Sequence, residues 1–177
     1  MRIFLIFLFF VSLHASEYDQ LLLRAQAVMY PKIILLDKGI KDKIKDNTIS
    51  LSIVYNTEEV KQAKEFKKMI DDKHKSKLGT YKLDVILLNT DKLSASTIST
   101  SYYIFDASGN KKRNIISQAT DNNRICFSYN YKDFSFNTLI GLLLKEKTYI
   151  YLNKSVIKDY SIKFVPIFYK IVKVINE

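Results

Sequence analysis

The chain has 177 residues, with 28 Lys and Arg against 18 Asp and Glu, one Cys, two His and no Trp. A single cysteine excludes an intramolecular disulfide and a multi-cysteine metal cluster, and two histidines leave little material for histidine-based catalysis. The length fits one domain, and a hydrophobic fraction of 47% with 13% aromatic residues excludes a disordered chain.

The N-terminus has the pattern of a secretory signal peptide, residues 1–16. A charged start is followed by the apolar run Ile3–Leu13, which is too short to span a bilayer, and then by small residues. Cleavage is expected after Ala15, with Ser16 as the next choice. The alternatives are a buried N-terminal element and an uncleaved membrane anchor. We therefore expect an exported, periplasmic protein in which residues 17–177 form one domain without a transmembrane segment.

The net charge of +10 raises the question of a polyanionic partner. Of the 28 basic residues, 24 are Lys and four are Arg. Proteins that read phosphates and bases specifically favour the bidentate fork of Arg, so we expect no nucleic-acid partner. The excess of Lys reflects either an A+T-rich coding sequence or a basic face directed at anionic lipid or an acidic partner.

Helical and strand patterns alternate in the first half of the chain. Glu17–Met29 has apolar residues at three- and four-residue steps, which predicts a helix that Pro31 ends or kinks. Ile49–Tyr55 alternates between apolar and polar residues as a strand does, and Glu58–Lys73 has the apolar face of a helix that covers a sheet. Tyr81–Leu88 contains a continuous apolar run, which is typical of a buried strand.

The second half is richer in strand patterns, and a Lys-Glu-Lys turn between two of them predicts a hairpin. The predicted strands are Ser101–Asp106, Arg124–Tyr129, Thr138–Leu144 and Thr148–Asn153. Ala107–Asn110 is a predicted turn, Ile115–Ala119 is ambiguous, and Pro166–Ile175 has the pattern of a final amphipathic helix. The order of elements predicts a single α/β domain, with a mixed β-sheet, flanking helices and a C-terminal helix.

The residue types of catalytic and cofactor sites are sparse. His74 stands among lysines and has the setting of a solvated surface histidine. The four glycines form neither a phosphate loop nor a dinucleotide fingerprint, and no metal-ligand spacing is present. We therefore expect no catalytic residue, no cofactor and no metal. An enzyme that uses carboxylates alone, such as Asp37 with Asp84 or Asp106, is the remaining catalytic hypothesis.

Two further features leave alternatives open. Cys126, between Ile125 and Phe127, is either a buried inert thiol or a thiol that pairs with a second chain or senses redox state. In a strand it would lie on the face opposite to its two neighbours. The aromatic segment Tyr129–Phe136 either forms the mouth of a ligand site or packs into the core.

From Gly141 onward the chain contains an ordered series of short motifs. They are Gly141–Leu144, Lys147–Asn153, the short helix Ser155–Tyr160, the step Ser161–Phe164 and the helix Ile167–Ile171. This series resembles the end of the YfiR-like family of periplasmic proteins, also called HmsC-like, and from Lys147 onward the spacing needs no gap. Asn153 matches the asparagine that ends a strand in that family, and Ile162 matches the leucine of its step.

The resemblance implies an α/β periplasmic domain without known enzymatic activity and with structural roles for Gly141, Asn153 and Ile162. Characterised members repress an inner-membrane diguanylate cyclase through its periplasmic part, and so control cyclic-di-GMP and biofilm formation. Dimers are typical. The chain departs from the family because it cannot form the internal disulfide of some members and because Val165-Pro166 replaces the usual serines.

Two functional hypotheses from different classes remain beside the carboxylate enzyme. The first is a non-enzymatic regulator that binds the periplasmic part of an inner-membrane signalling protein, either a diguanylate cyclase or a sensor kinase. Such a regulator acts either as a monomer or as a homodimer. Its predicted partner-binding residues on the final helix are Ile167, Phe168, Tyr169 and Ile171. The second is a periplasmic small-ligand-binding accessory protein for a sensor or transport system. A flat apolar patch favours the first hypothesis, and a concave aromatic pocket favours the second.

Overall fold

A computed structural model of the protein describes residues 20–92 and 98–176. The predicted signal peptide, residues 1–16, lies outside the described residues, and so does part of the polar segment after the second predicted strand. No helix in the described part is long and apolar enough to cross a membrane.

Helices and strands alternate along most of the chain. The helices are α1 (20–34), α2 (Val60–His74), α3 (Asn110–Asp121), α4 (Lys154–Ile157) and α5 (Pro166–Ile171). The strands are β1 (Thr48–Tyr55), β2 (Lys77–Leu78), β3 (Tyr81–Asn89), β4 (Ser101–Ile104), β5 (Ile125–Ser128), β6 (Ile140–Leu144), β7 (Thr148–Asn153) and β8 (Val172–Ile175). Asn56 caps the 3₁₀ turn Thr57–Glu59, which leads into α2. In this capping box its side chain accepts from the Glu59 N–H and its own N–H donates to the Glu59 carboxylate.

The strands form one mixed sheet in the order β2-β3-β1-β4-β5-β6-β7-β8. The five strands from β3 to β6 in this order are parallel to one another. Strands β2 and β7 are antiparallel to β3 and β6, and β8 is parallel to β7. The predicted α/β class, with a mixed sheet and flanking helices, is confirmed. The predicted hairpin is confirmed as β6 and β7.

The strand order contains one reversal. After β1 the chain pairs β3 on one side of β1, and it then returns to pair β4 on the other side. The carboxyl ends of β1, β3 and β4 therefore surround a topological switch point, which is where open α/β sheets bind ligands.

Both faces of the sheet are covered by apolar side chains. The main core joins one face of the sheet to residues of α1, α2 and α5, among them Tyr30, Phe66 and Phe168. A smaller core joins the opposite face to α3, with Ile116 against Cys126 of β5. The alternation along the strands directs successive side chains to these two cores.

Of the two predicted effects of Pro31, the end of the first helix is wrong, because α1 continues to residue 34. Proline has no N–H to donate to the carbonyl four residues earlier, which is that of Ala27. Nε2 of His74, at the end of α2, lies 2.9 Å from this carbonyl oxygen and donates to it. His74 is consequently half-buried and not a solvated surface histidine, and burial lowers its pKa. The contact joins α1 to α2.

The predicted C-terminal helix is correct only in its first half. Helix α5 ends at Ile171, and the next four residues form β8, which pairs with β7. Two valines and an isoleucine favour the extended conformation, and the neighbouring strand satisfies one backbone edge of the segment.

Candidate functional site

A cavity of about 300 Å³ lies at the topological switch point. It is formed where β1, β3 and β4 end and where α3 begins. Its lining residues are Asn56, Thr90, Asp91, Asp106, Ser108, Gly109, Asn110, Lys111 and Lys112. No group of three or more His, Cys, Asp or Glu side chains in the described residues is arranged to hold a metal ion.

Lys112, one of the lining residues of this cavity, forms an ion pair with Glu59. Nζ of Lys112 lies 2.7 and 2.8 Å from the two carboxylate oxygens of Glu59, and the Lys112 side chain is almost fully buried. The same carboxylate accepts the N–H of Asn56 at 2.9 Å. The pair therefore connects the start of α2 to the first turn of α3 across the switch point. Removing the Glu59 carboxylate would leave the buried ammonium group of Lys112 without its partner.

The other carboxylates of the cavity hold neighbouring turns. Oδ2 of Asp91 accepts from the N–H and the hydroxyl of Thr57 at 3.0 and 2.8 Å, and these bonds lower the pKa of Asp91. Asp106 accepts from the N–H and the hydroxyl of Ser108 at 3.0 and 2.7 Å. These hydrogen bonds give both carboxylates a structural role.

The carboxylates of the enzyme hypothesis, Asp37, Asp84 and Asp106, have different surroundings. Asp37 is buried and forms an ion pair with Lys43 at 2.5 Å. Asp84 is exposed in β3, near the strand's amino end, whereas Asp106 follows the carboxyl end of β4. Asp84 and Asp106 therefore stand at opposite ends of the sheet, and the carboxylate of Asp37 is engaged by the ammonium group of Lys43.

Asp133 is a buried carboxyl group beside this edge of the sheet. It is 8% exposed, and its Oδ2 has no hydrogen-bond partner among the described residues. Burial raises the pKa of Asp133 to about 6, against the opposing effect of hydrogen bonds from the backbone of Asn130 and Ala107. The folded protein therefore holds this proton more tightly than the unfolded chain does.

Asp133→Asn is expected to gain stability relative to the wild type as the pH rises. Because the ordinary pKa of Asp is about 4, the cost of ionising Asp133 in the folded state develops between pH 4 and pH 6 and is complete above pH 6. The free energy of unfolding of the variant minus that of the wild type should increase by about 1–3 kcal/mol between pH 4 and pH 8, measured by urea titration. Asp91→Asn, where the pKa is lowered, should show the opposite sign. A difference independent of pH for Asp133→Asn contradicts the prediction.

The end of the sheet opposite β2 exposes a group of apolar side chains, which we call the α5–β8 surface. It comprises Ile167, Tyr169, Ile171 and Val174, which are 55, 48, 52 and 50% exposed. They are four of the six large apolar residues that are exposed in the described part of the chain; the other two are Leu21 and Ile98. The predicted partner-binding residue Phe168 does not belong to this surface. It is fully buried, with its ring centroid 4.1 Å from that of Phe164.

Cys126 is fully buried in β5, and burial strongly raises the pKa of its thiol. It lies in the smaller core, whereas Ile125 and Phe127 lie in the main core, so the predicted opposite faces are confirmed. A thiol in this position is inaccessible to a second chain. The structure therefore contradicts intermolecular pairing through Cys126 and agrees with the buried inert thiol.

The aromatic segment that was a candidate mouth for a ligand is largely packed. Phe134 and Asp133 are buried, while Tyr129, Tyr131 and Phe136 are half-buried. A cavity of about 410 Å³ adjoins the end of the segment, and Phe136 is its one aromatic lining residue. The aromatic side chains of the segment are therefore mostly packed, and Phe136 contributes to a cavity whose other lining residues are not aromatic.

The three family-motif residues are all buried. Gly141 allows β6 to approach the 3₁₀ turn Tyr131–Phe136, since a Cβ at this position would lie 2.9 Å from Cα of Tyr131. Asn153 is 1% exposed at the junction of β7 and α4, and Ile162 packs in the main core. These positions are consistent with structural roles.

The strand order and the covered sheet place the chain among the open-sheet α/β proteins. No protein-family model matches the chain, and no curated protein matches it in sequence. Among solved structures it is similar to a conserved domain protein from Vibrio cholerae O1 biovar El Tor, with a TM-score of 0.56 and 12% identity. That similarity covers 88% of this chain but 60% of the other, and it concerns the fold alone. An ABC domain solved in complex with L-Trp, from Streptococcus pneumonia, has a TM-score of 0.49 and 11% identity over 81% of this chain and 62% of its own.

Proposed function

We propose that the protein is an exported, non-catalytic regulator that binds the periplasmic part of an inner-membrane signalling protein. The signalling protein is a diguanylate cyclase or a sensor kinase, and the α5–β8 surface is the binding site. The observation that supports the proposal is the concentration of exposed apolar side chains at one end of the sheet.

Isolated apolar residues on a protein surface need no explanation, but a contiguous group of them is typical of an interaction site. Four half-exposed side chains lie within the eight residues from Ile167 to Val174. The resemblance of the C-terminal motifs to the YfiR-like family supports the same class of function, because characterised members act by binding a membrane protein. In this proposal, release or capture of the partner would change the synthesis of cyclic-di-GMP and so biofilm formation.

The double variant Ile167→Ser/Val174→Ser is expected to weaken partner binding at least tenfold without unfolding the domain. Both side chains are half exposed, so their loss removes little buried apolar area from the folded protein. The measurement is isothermal titration against the purified periplasmic domain of a diguanylate cyclase or sensor kinase from the same organism. Each variant's free energy of unfolding is measured in parallel.

The matched control is Leu21→Ser/Ile98→Ser, since these side chains are 51 and 55% exposed outside the α5–β8 surface. It should bind as the wild type does. Equal weakening by both double variants, or none by the first, contradicts the proposed site.

A second function, the binding of a small polar ligand, is favoured by one observation, the cavity at the switch point. The cavity has polar and charged walls and lies where this class of fold binds ligands. Ligand-induced thermal stabilisation that is lost in Ser108→Trp, a change that would obstruct the cavity, would favour this function over the first.

A further inference from the structure

The backbone edge of β8 is the second feature of the α5–β8 surface. Strand β8 pairs with β7 on one side, and no strand pairs with it on the other among the described residues. Exposed edges attract additional strands, and natural proteins usually protect them with charges, prolines, bulges or short length. At the opposite edge, β2 has only two residues. Strand β8 has four and contains no proline.

The one charge in β8 does not guard its edge. Nζ of Lys173 lies 3.8 Å from the centre of the Tyr149 ring, so the side chain is folded back over the neighbouring strand. Nζ of Lys147 lies 5.5 Å from the same ring. Two ammonium groups are therefore held on one face of the sheet beside the open edge, where they favour carboxylates.

The other face of β8 is apolar and incompletely covered. Val172 packs against the main core, and Val174, which pairs with Leu152, is half exposed at the edge of the sheet that the described strands form. Ile171, at the end of α5, is also half exposed. An added strand with apolar side chains on this face would cover it.

The basic face and the apolar face of β8 together indicate which kind of segment can pair with its outer backbone edge. We propose, on the basis of the proposed function, that the partner supplies an extended segment that adds to β8 as a further strand. In this segment apolar residues alternate with Asp or Glu, so that the apolar residues cover Val174 and the carboxylates face Lys173 and Lys147. Backbone hydrogen bonds provide affinity in this mode of recognition, and the alternating side chains provide specificity.

A second copy of the chain fits the edge less well. Residues 160–176 contain Lys163, Lys170 and Lys173 but no Asp or Glu. Pairing of two β8 edges would bring the lysines of both copies together on the same face, and like charges on adjacent strands are destabilising. Charge complementarity therefore selects an acidic segment.

The test uses three fluorescein-labelled octapeptides: an alternating Glu-Val peptide, the same peptide N-methylated at every second residue, and an alternating Lys-Val peptide. Binding of each labelled peptide is measured by fluorescence anisotropy while the full mature chain is added up to millimolar concentration. Hydrogen exchange of the amides of Val172–Ile175 is followed by NMR. The Glu-Val peptide should bind at least tenfold more tightly than the other two and should slow the exchange of outward-facing β8 amides. Val174→Glu should abolish this binding, whereas Leu21→Glu should not.

Absence of binding by the Glu-Val peptide overturns strand addition, and so does equal binding of the methylated or Lys-Val peptide. Binding that leaves the hydrogen exchange of the β8 amides unchanged also overturns strand addition. Sedimentation that shows a dimer with protected β8 amides would identify a second copy as the occupant. If the peptides fail while Ile167→Ser/Val174→Ser still weakens binding of the periplasmic partner domain, the proposed function stands and only the strand mechanism is wrong.

Discussion

Asn153→Asp is expected to lower the free energy of unfolding by about 3 kcal/mol or more at neutral pH. The side-chain amide of Asn153 is buried, and both its nitrogen and its oxygen form hydrogen bonds. Its Nδ2 donates to the carbonyl oxygens of Phe134 and Thr138 at 3.1 and 3.3 Å. Its Oδ1 accepts from the N–H groups of Ser155 and Val156 at 3.1 and 3.4 Å. Aspartate would keep the acceptor but would place a second oxygen against two carbonyl oxygens.

The destabilisation caused by Asn153→Asp should increase with pH. The ionised carboxylate is disfavoured by burial and by the two carbonyl oxygens, so its pKa in the folded state would be raised above the ordinary value of about 4. Destabilisation should therefore be smallest near pH 4, where the protonated group donates one hydrogen bond, and should increase as the pH rises toward 8. Urea unfolding at both pH values measures the difference.

Asn130→Asp is the matched control, because Asn130 is exposed and its side chain caps the 3₁₀ turn that follows by accepting from Lys132 at 3.0 Å. Aspartate serves equally well as such a cap, so the change in stability should stay within about 0.5 kcal/mol. If Asn153→Asp is as mild as this control, the four hydrogen bonds of Asn153 do not stabilise the junction of β7 and α4.

Local sequence patterns predicted the elements whose burial follows a simple period. Strand β1 and helix α2 have regular apolar faces, and both were predicted nearly to their ends. The sequence does not predict helix α3, because its apolar centre, Ile115–Ala119, is too short to indicate one type of element. Its first turn is basic, and Lys112, whose type suggests solvent, is buried against Glu59, which is 53 positions away in the chain. A contact of this separation leaves no local pattern.

Two errors near proline and at the C-terminus have the same origin. Helix α1 continues past Pro31 because His74, from another helix, satisfies the carbonyl of Ala27. The pattern of the final helix extends into β8, but the edge of β7 provides hydrogen bonds that favour the extended conformation there. In each case a partner distant in sequence determines the local structure.

The candidate sites were predictable to different degrees. Three of the four partner-binding residues predicted on the final helix are exposed. This short helix has apolar residues on more than one face, and only one face packs on the core. Phe168 is the exception, since it packs on Phe164. Val174 was not predicted, because it became part of the surface only through β8. The cavity at the switch point draws on the ends of three strands, and only the sheet order brings these together.

Gly141→Ala is expected to destabilise the domain by about 1–3 kcal/mol through overpacking. An added Cβ would lie 2.9 Å from Cα and 3.1 Å from Cβ of Tyr131, and 3.0 Å from Cε1 of Phe134. The nearest atom belongs to the backbone, so rotation of a side chain cannot relieve the contact. Alanine also restricts the unfolded chain, which favours folding by only about 0.4–1 kcal/mol. The steric term is therefore expected to dominate.

Gly141→Ala should also change hydrogen exchange near the substitution, in addition to lowering the free energy of unfolding of the whole domain. The 3₁₀ turn Tyr131–Phe136 must move away from β6, so hydrogen exchange in that turn should accelerate more than in β1. Gly109→Ser is the matched control, because no atom lies within 4 Å of a Cβ there and serine is a good N-cap for α3. It should be neutral or slightly stabilising in the same urea titration. Equal stability of Gly141→Ala and the wild type would mean that the turn moves without cost, and that the glycine is not required for close packing.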